Sequence, residues 1–240
     1  MKSRNKKLLT VLVLILIVTV FIPGNLTTTS ASKSIAINVT ANPLSYDPLF
    51  AMVDAEKILL ANLHEGLVVW DNGVLTPGVA AKWYISADAK TYTFHLKEAY
   101  WSNGDQLTAA DIELSWKRII TSETATPARS LLDVIKNAKA FREGELTAPE
   151  EIGIKALDKR VLQIELEEPC SYFLSLLTFP AFLPVHPKYL QEQDINFAPG
   201  FCSNGPFRID QVEGGSHAVL VANEHYRGER GNIGEIKVTF

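Results

Sequence analysis

The chain is 240 residues long and carries 23 Lys and Arg against 27 Asp and Glu, a formal net charge of −4 with a pI near 5.8. That balance gives no electrostatic basis for binding nucleic acid. A hydrophobic fraction of 47% is enough for a core in one or two globular domains.

Residues 1–32 read as a targeting segment. Lys2, Arg4, Lys6 and Lys7 form a basic start, and residues 8–22 are apolar apart from Thr10 and Thr19. Pro23-Gly24 then breaks the run, and small residues continue to Ala31-Ser32. Cleavage after Ala31, with Thr29 at −3, fits a signal peptide; an uncleaved anchor is the alternative. The apolar stretch is shorter than the ~20 residues that span a bilayer. No cysteine lies near the cleavage region to take a lipid.

Beyond it, mixed α and β patterns follow in order. Residues 35–40 alternate as a strand, residues 54–63 have helical spacing, and residues 92–97 alternate as a half-buried strand. Asn103-Gly104 marks a turn, and Thr108 with Asp111 three residues on is a capping-box pattern. The helix it opens carries Ala109, Ile112, Trp116, Ile119 and Ile120 on one face. A polar loop is expected over 121–127 and a second amphipathic helix over 131–141. Residues 152–156 and 161–166 pair as a hairpin about Asp158-Lys159. Phe173, Leu176 and Leu177 mark a short helix, and 207–209, 218–221 and 235–240 are late strands. The alternating run at 236–240 reads as a strand without its usual neighbours. The four tryptophans, Trp70, Trp83, Trp101 and Trp116, read as core.

Catalytic patterns are weak. The five histidines (His64, His95, His186, His217, His225) show no H-E-x-x-H or other paired-ligand spacing, so no metal site is expected. Ser216-His217 follows Gly214-Gly215 but lacks the G-x-S-x-G frame. No glycine cluster forms a phosphate loop. Cys170 and Cys202 can pair if the chain is exported; closing a loop of about thirty residues stabilises by roughly 3–4 kcal/mol in the chain-entropy model. Two buried free thiols are the alternative.

Several segments share one likeness. They are Ser45-Tyr-Asp-Pro48, His64-Glu-Gly-Leu67, Pro77-Gly-Val-Ala-Ala-Lys-Trp83, Tyr92-Thr-Phe-His-Leu-Lys97, the run from Trp101 through Ser115-Trp-Lys-Arg118, Glu168-Pro169, Pro184-Val-His-Pro187 and Ser203-Asn-Gly-Pro-Phe207. In this order the chain resembles the bacterial extracellular solute-binding proteins of family 5, the peptide-binding proteins of ABC importers. The likeness covers nearly everything after residue 35.

The resemblance implies an α/β fold of the class II periplasmic-binding-protein type with three lobes. Residues 33–64 and 188–240 would form an incomplete lobe I and residues 65–187 lobe II, with the third lobe absent from this sequence. It further implies a periplasmic receptor that binds peptides, delivers them to a membrane permease, and needs no cofactor and no catalysis. Relatives also bind nickel complexes, haem or oligosaccharides. A truncated, non-transporting fragment is one alternative, and a secreted hydrolase using Ser216 and His217 is a remote one. Spacing from the shared anchors puts Met52, Val53 and Asp54 on the ligand wall, and Ala128 where some relatives carry an aromatic contact. For Asp54 a helix N-cap is the competing role.

Overall fold

The computed structural model describes residues 33–39, 41–43, 45, 47–51, 53–122, 126–190, 195 and 198–240. The expected leader therefore lies outside the described residues.

The described part holds two four-stranded sheets and a separate hairpin. Strand β1 (Lys33–Asn38) lies in a sheet with three strands from the other end of the sequence, β8 (Phe207–Glu213), β9 (His217–Ala222) and β10 (Ile233–Thr239), in the order β1-β10-β9-β8. β1 and β10 are parallel, while β8, β9 and β10 form an antiparallel meander. The 236–240 run is thus an interior strand paired on both sides, contrary to the expectation of a strand lacking neighbours. The partner it needs comes from the beginning of the fold.

The second sheet is wholly antiparallel: β4 (Ala80–Ile85), β5 (Thr91–Leu96), β7 (Val161–Glu165) and β6 (Ile154–Asp158), in that order. β5 alternates strictly, with Tyr92, Phe94 and Leu96 buried, as a strand with one covered face must. The β6–β7 hairpin forms where the alternation about Asp158-Lys159 places it. Short strands β2 (Val68–Asp71) and β3 (Val74–Pro77) make the separate hairpin. Its turn, Asn72-Gly73, has φ of 49° and 79°, the left-handed pair that a tight two-residue connection requires.

Helix α1 (Asp54–Leu63) packs on the first sheet, and α2 (Ala109–Thr121) lies over β6 and β7. Each sheet and helix encloses a hydrophobic cluster. One gathers Phe94, Trp101, Trp116, Phe173 and Phe182 about α2. The other gathers Leu59, Leu63, Phe207, Leu220 and Val238 about α1. Trp101 and Trp116 are core as expected and Trp83 is half-buried, but Trp70 is 54% exposed. It stands with Phe179 on an apolar cleft of about 550 Å³.

Cys170 belongs to the first cluster and Cys202 to the second, both as free buried thiols. The two thiols lie in separate clusters, the arrangement given above as the alternative to a bridge.

The helix expected over 131–141 is broken into three pieces. Helix α3 (Pro127–Leu131) runs into a 3-10 turn at Leu132–Val134; Ile135 is extended, and α4 (Ala138–Arg142) follows. Ile135 bridges to Leu166, the Lys136 N–H donates to the Glu165 carbonyl (2.9 Å), and the Gly153 N–H donates to the Lys136 carbonyl (2.9 Å). Asn137 then adopts φ 64°. Leu132, Ile135 and Ala138 are all buried, so the helical spacing of apolar residues is real, but sheet-edge hydrogen bonds override it. The left-handed backbone at residue 137 suits Asn or Gly and penalises a β-branched side chain by about 1–2 kcal/mol. Both Asn137→Gly and Asn137→Val lose the hydrogen bond from Asn137 Nδ2 to the Glu151 carbonyl (2.7 Å), so in urea titrations Asn137→Val should lower unfolding free energy by about 1–2 kcal/mol more than Asn137→Gly does.

Candidate functional site

The run from Trp101 to Arg118 begins with a turn in which the Trp101 N–H donates to the Asp105 carbonyl (2.8 Å) and Gly104 has φ 90°. α2 starts at Thr108, whose N–H donates to Asp111 Oδ2 at 2.9 Å, the reciprocal arm of the capping box read from the sequence. The same oxygen accepts from Trp101 Nε1 at 3.3 Å, which binds the turn to the helix.

From there every named side chain of the run reaches outward. The Ser102 N–H donates to the Ser203 carbonyl (2.7 Å), and Ser102 Oγ accepts from the Ser203 N–H (3.1 Å). Asp105 pairs with His186 at 3.2 Å, and His186 packs edge-on against Trp101. Hydrogen bonds from Asn103 and His186 hold the Asp105 carboxyl below its usual range. Ser115 Oγ accepts from the Val185 N–H at 2.9 Å, and Trp116 Nε1 donates to the Phe182 carbonyl at 3.0 Å. Arg118 closes a two-pronged pair with Asp47, a residue 1% exposed; its Nη1 donates to Oδ1 at 3.0 Å. Val185, Phe201 and Cys202 belong to the cluster about α1, whereas Trp101 and Trp116 belong to the other. The segment is therefore a seam fastening the two clusters together.

Across the seam, Leu63–Gly66 runs against Ser203–Pro206. The Gly205 N–H donates to the Leu63 carbonyl at 2.8 Å, and a Cβ at Gly205 would stand 2.6 Å from Leu63 C. Only glycine permits that approach. Asn204 Nδ2 donates to the Glu65 carbonyl (2.8 Å) and Oδ1 accepts from the Glu65 N–H (3.3 Å), which fixes the amide orientation. Oδ1 also faces His64 Nδ1 at 3.2 Å, so Nδ1 carries the proton. Burial pushes the His64 ring down from 6.5 to about 4, against the opposing pull of Asn204, the Pro184 carbonyl and Asp47. Tyr226 donates to Glu65 Oε1 at 2.8 Å; burial raises the Glu65 carboxyl, and burial with the neighbouring Glu65 raises the Tyr226 phenol.

The expected ligand wall occupies the loop entering α1. Val53 is the N-cap, with φ −97° and ψ 160°, and Asp54 is the first helical residue. The N-cap role read for Asp54 is therefore not its own; its exposed carboxylate instead pairs with Lys57 at 3.3 Å. Val53 cannot cap through its side chain, and Glu56 Oε2 accepts its N–H at 3.0 Å. The Val53 carbonyl accepts from the Lys57 N–H at 3.2 Å. Both backbone groups of Val53 are thus engaged inside the fold. Met52 lies outside the described residues. Ala128 packs against the cluster about α2 and Val53 against the one about α1, on opposite sides of the seam. Glu56 and Asp47, the two buried acids that shape this loop, were not singled out from the sequence as site residues. The signal for Glu56 was an acid three residues after a side chain unable to cap.

Ser216 Oγ and Glu213 Oε2 both approach the same nitrogen of His217, Nδ1, at 3.1 and 3.5 Å. A nucleophile relay needs its partners on opposite ring nitrogens. Among the described residues no group of three or more His, Cys, Asp or Glu is placed to hold a metal ion, and no helix is long and apolar enough to cross a membrane.

The sequence profile of the bacterial extracellular solute-binding proteins, family 5 Middle, matches residues 74–240. The chain belongs to this family. The family 5 chain is 34% identical to the dipeptide-binding protein DppE of Bacillus subtilis over 76% of its own length and 34% of the relative's. It is 31% identical to the periplasmic murein peptide-binding protein MppA of Escherichia coli over 89% of its length and 40% of that protein's. The structure of Listeria monocytogenes OppA bound to peptide superposes with a TM-score of 0.81 at 31% identity, covering 87% of this chain and 42% of OppA. The fold is accordingly the α/β fold of the family 5 binding proteins, and the chain spans well under half the length of these relatives.

Two outcomes follow from the seam. Arg118→Met leaves Asp47 buried without its partner and should lower unfolding free energy by about 3–5 kcal/mol in urea titrations. His64 is neutral when folded, whereas the unfolded ring takes a proton near 6.5. Stability present above that pH is thus lost as pH falls towards 4, on the order of 3 kcal/mol. Thermal midpoints of His64→Gln should fall less steeply between pH 6.5 and 4 than those of the unaltered protein.

Proposed function

We propose that the chain is the peptide-recognising part of an exported ABC-importer receptor that hands its ligand to a membrane permease. The observation that carries this reading is the superposition on a family 5 protein holding peptide, over 87% of the chain. Relatives named as periplasmic peptide binders support both the ligand class and the compartment, and the basic-then-apolar start of the sequence supports export. The protein acts by binding, with no catalytic step.

In this reading residues 33–64 and 188–240 form one lobe and residues 65–187 another. The division of buried residues supports it: one cluster draws on residues 39–63 and 185–240, the other on Leu49 and residues 67–182. The ligand meets the loop at Val53 and Asp54, through the Val53 side chain and the Asp54 carboxylate, with Ala128 on the far side of the seam.

Thermal shift on the full natural gene product tests the reading. A ligand that binds only the folded state stabilises it by RT ln(1 + [L]/Kd), about 2.7 kcal/mol at a hundredfold excess over Kd. Alanine peptides of two to five residues should raise the melting temperature in a saturable way. A rise with a nickel chelate, haem or an oligosaccharide, and none with any peptide, would move the chain to another ligand class.

A further inference from the structure

We propose that Glu56 is a positioning residue that sets the ligand wall in place before ligand arrives. The inference rests on the reading of Val53 and Asp54 as part of that wall, and deepens it.

Glu56 is 1% exposed although it lies in the first turn of α1, where an acid ordinarily sits in water. Burying a carboxylate is unfavourable unless its oxygens are met by donors. One oxygen, Oε2, accepts the Val53 N–H at 3.0 Å, which completes the helix cap. The cap needs no more than that. The other, Oε1, accepts the Ser45 N–H at 3.1 Å, from the far end of the loop. A single carboxylate thus ties Ser45 to Val53 across the loop.

The loop is also held between its ends. Asp47 Oδ1 accepts the Leu49 N–H at 3.0 Å, and the Asp47 N–H donates to Ser45 Oγ at 3.1 Å. Arg118 grips Asp47 from α2, and the Leu49 side chain is buried in the cluster about α2. Glu56 therefore fixes both ends of the loop, while Arg118 and Leu49 tie its middle to the opposite side of the seam. A wall ordered in advance spares the ligand the entropy of ordering it.

Glu56→Gln keeps size and one acceptor but cannot receive both N–H groups, because its amide nitrogen only donates. Ser45→Pro removes the far N–H together with the Oγ that accepts from Asp47 and leaves the helix cap intact, which serves if Glu56→Gln does not fold; Ser45→Ala, which loses the Oγ alone, is its control. Each variant of the full natural gene product is titrated with alanine peptides of two to five residues by calorimetry, with amide hydrogen exchange followed over residues 45–53. The expected result is affinity at least tenfold weaker, a more unfavourable binding entropy, and faster exchange across the loop. Unchanged affinity and entropy alongside a lowered melting temperature would make Glu56 structural only, and overturn the proposal. Val53→Trp separates the two levels. If it leaves affinity unaltered, or if no peptide binds the unaltered protein, the wall reading itself falls. If it abolishes binding while Glu56→Gln does not weaken it, only the positioning role falls.

Discussion

A buried ion pair between Asp47 and Arg118 is the constraint on which the arrangement of the two clusters turns. Asp47 is in the loop between β1 and α1; Arg118 is on α2, packed on the other sheet. Removing both charges from water is unfavourable, and the penalty is offset only because the guanidinium meets both carboxylate oxygens and the Leu49 N–H adds a third donor. Such a pair has little tolerance for displacement, so it registers the α1 side of the molecule against the α2 side.

Beside this ion pair, and beside the Asp105–His186 pair, the seam carries backbone hydrogen bonds to small polar side chains: Ser102 with Ser203, Ser115 with Val185, Asn204 with Glu65. Short side chains carry little conformational entropy to lose, and a carbonyl or N–H offers one direction of approach. The result is a join specified in geometry more than in strength. The segment that most clearly marks the family is thus explained by packing between two sheets rather than by contact with a ligand.

Much of this was legible in the sequence, and the failures have physical reasons. α1 and α2 were readable because their apolar stripes have an uninterrupted 3.6-residue period, and α2 because Thr108 and Asp111 announce its start. Residues 131–141 misled because Leu132, Ile135 and Ala138 share helical spacing while their backbone is bonded to Glu165 and Gly153; a tertiary partner cannot be read from a local period. The β2–β3 hairpin was overlooked although Asn72-Gly73 is visible, since two four-residue strands give too few alternations and Trp70 looks like core. The ligand wall expected at Val53 and Asp54 rests on anchor spacing, a likeness and not a local pattern. Glu56 was not singled out because burial is a property of the fold and not of the residue.

The pairing of β1 with β10 has a consequence for how the chain assembles. Ile35 stands opposite Ile236 and Ile37 opposite Val238, so this one ladder closes a loop of about two hundred residues. β8, β9 and β10 find one another through short turns, a local event by comparison. During synthesis β1 has no partner until β10, about two hundred residues later, has emerged, so among the described strands its edge waits longest for a neighbour. Of the four strands of that sheet, β1 is therefore open to capture by chaperones for longest, and the last to find its place.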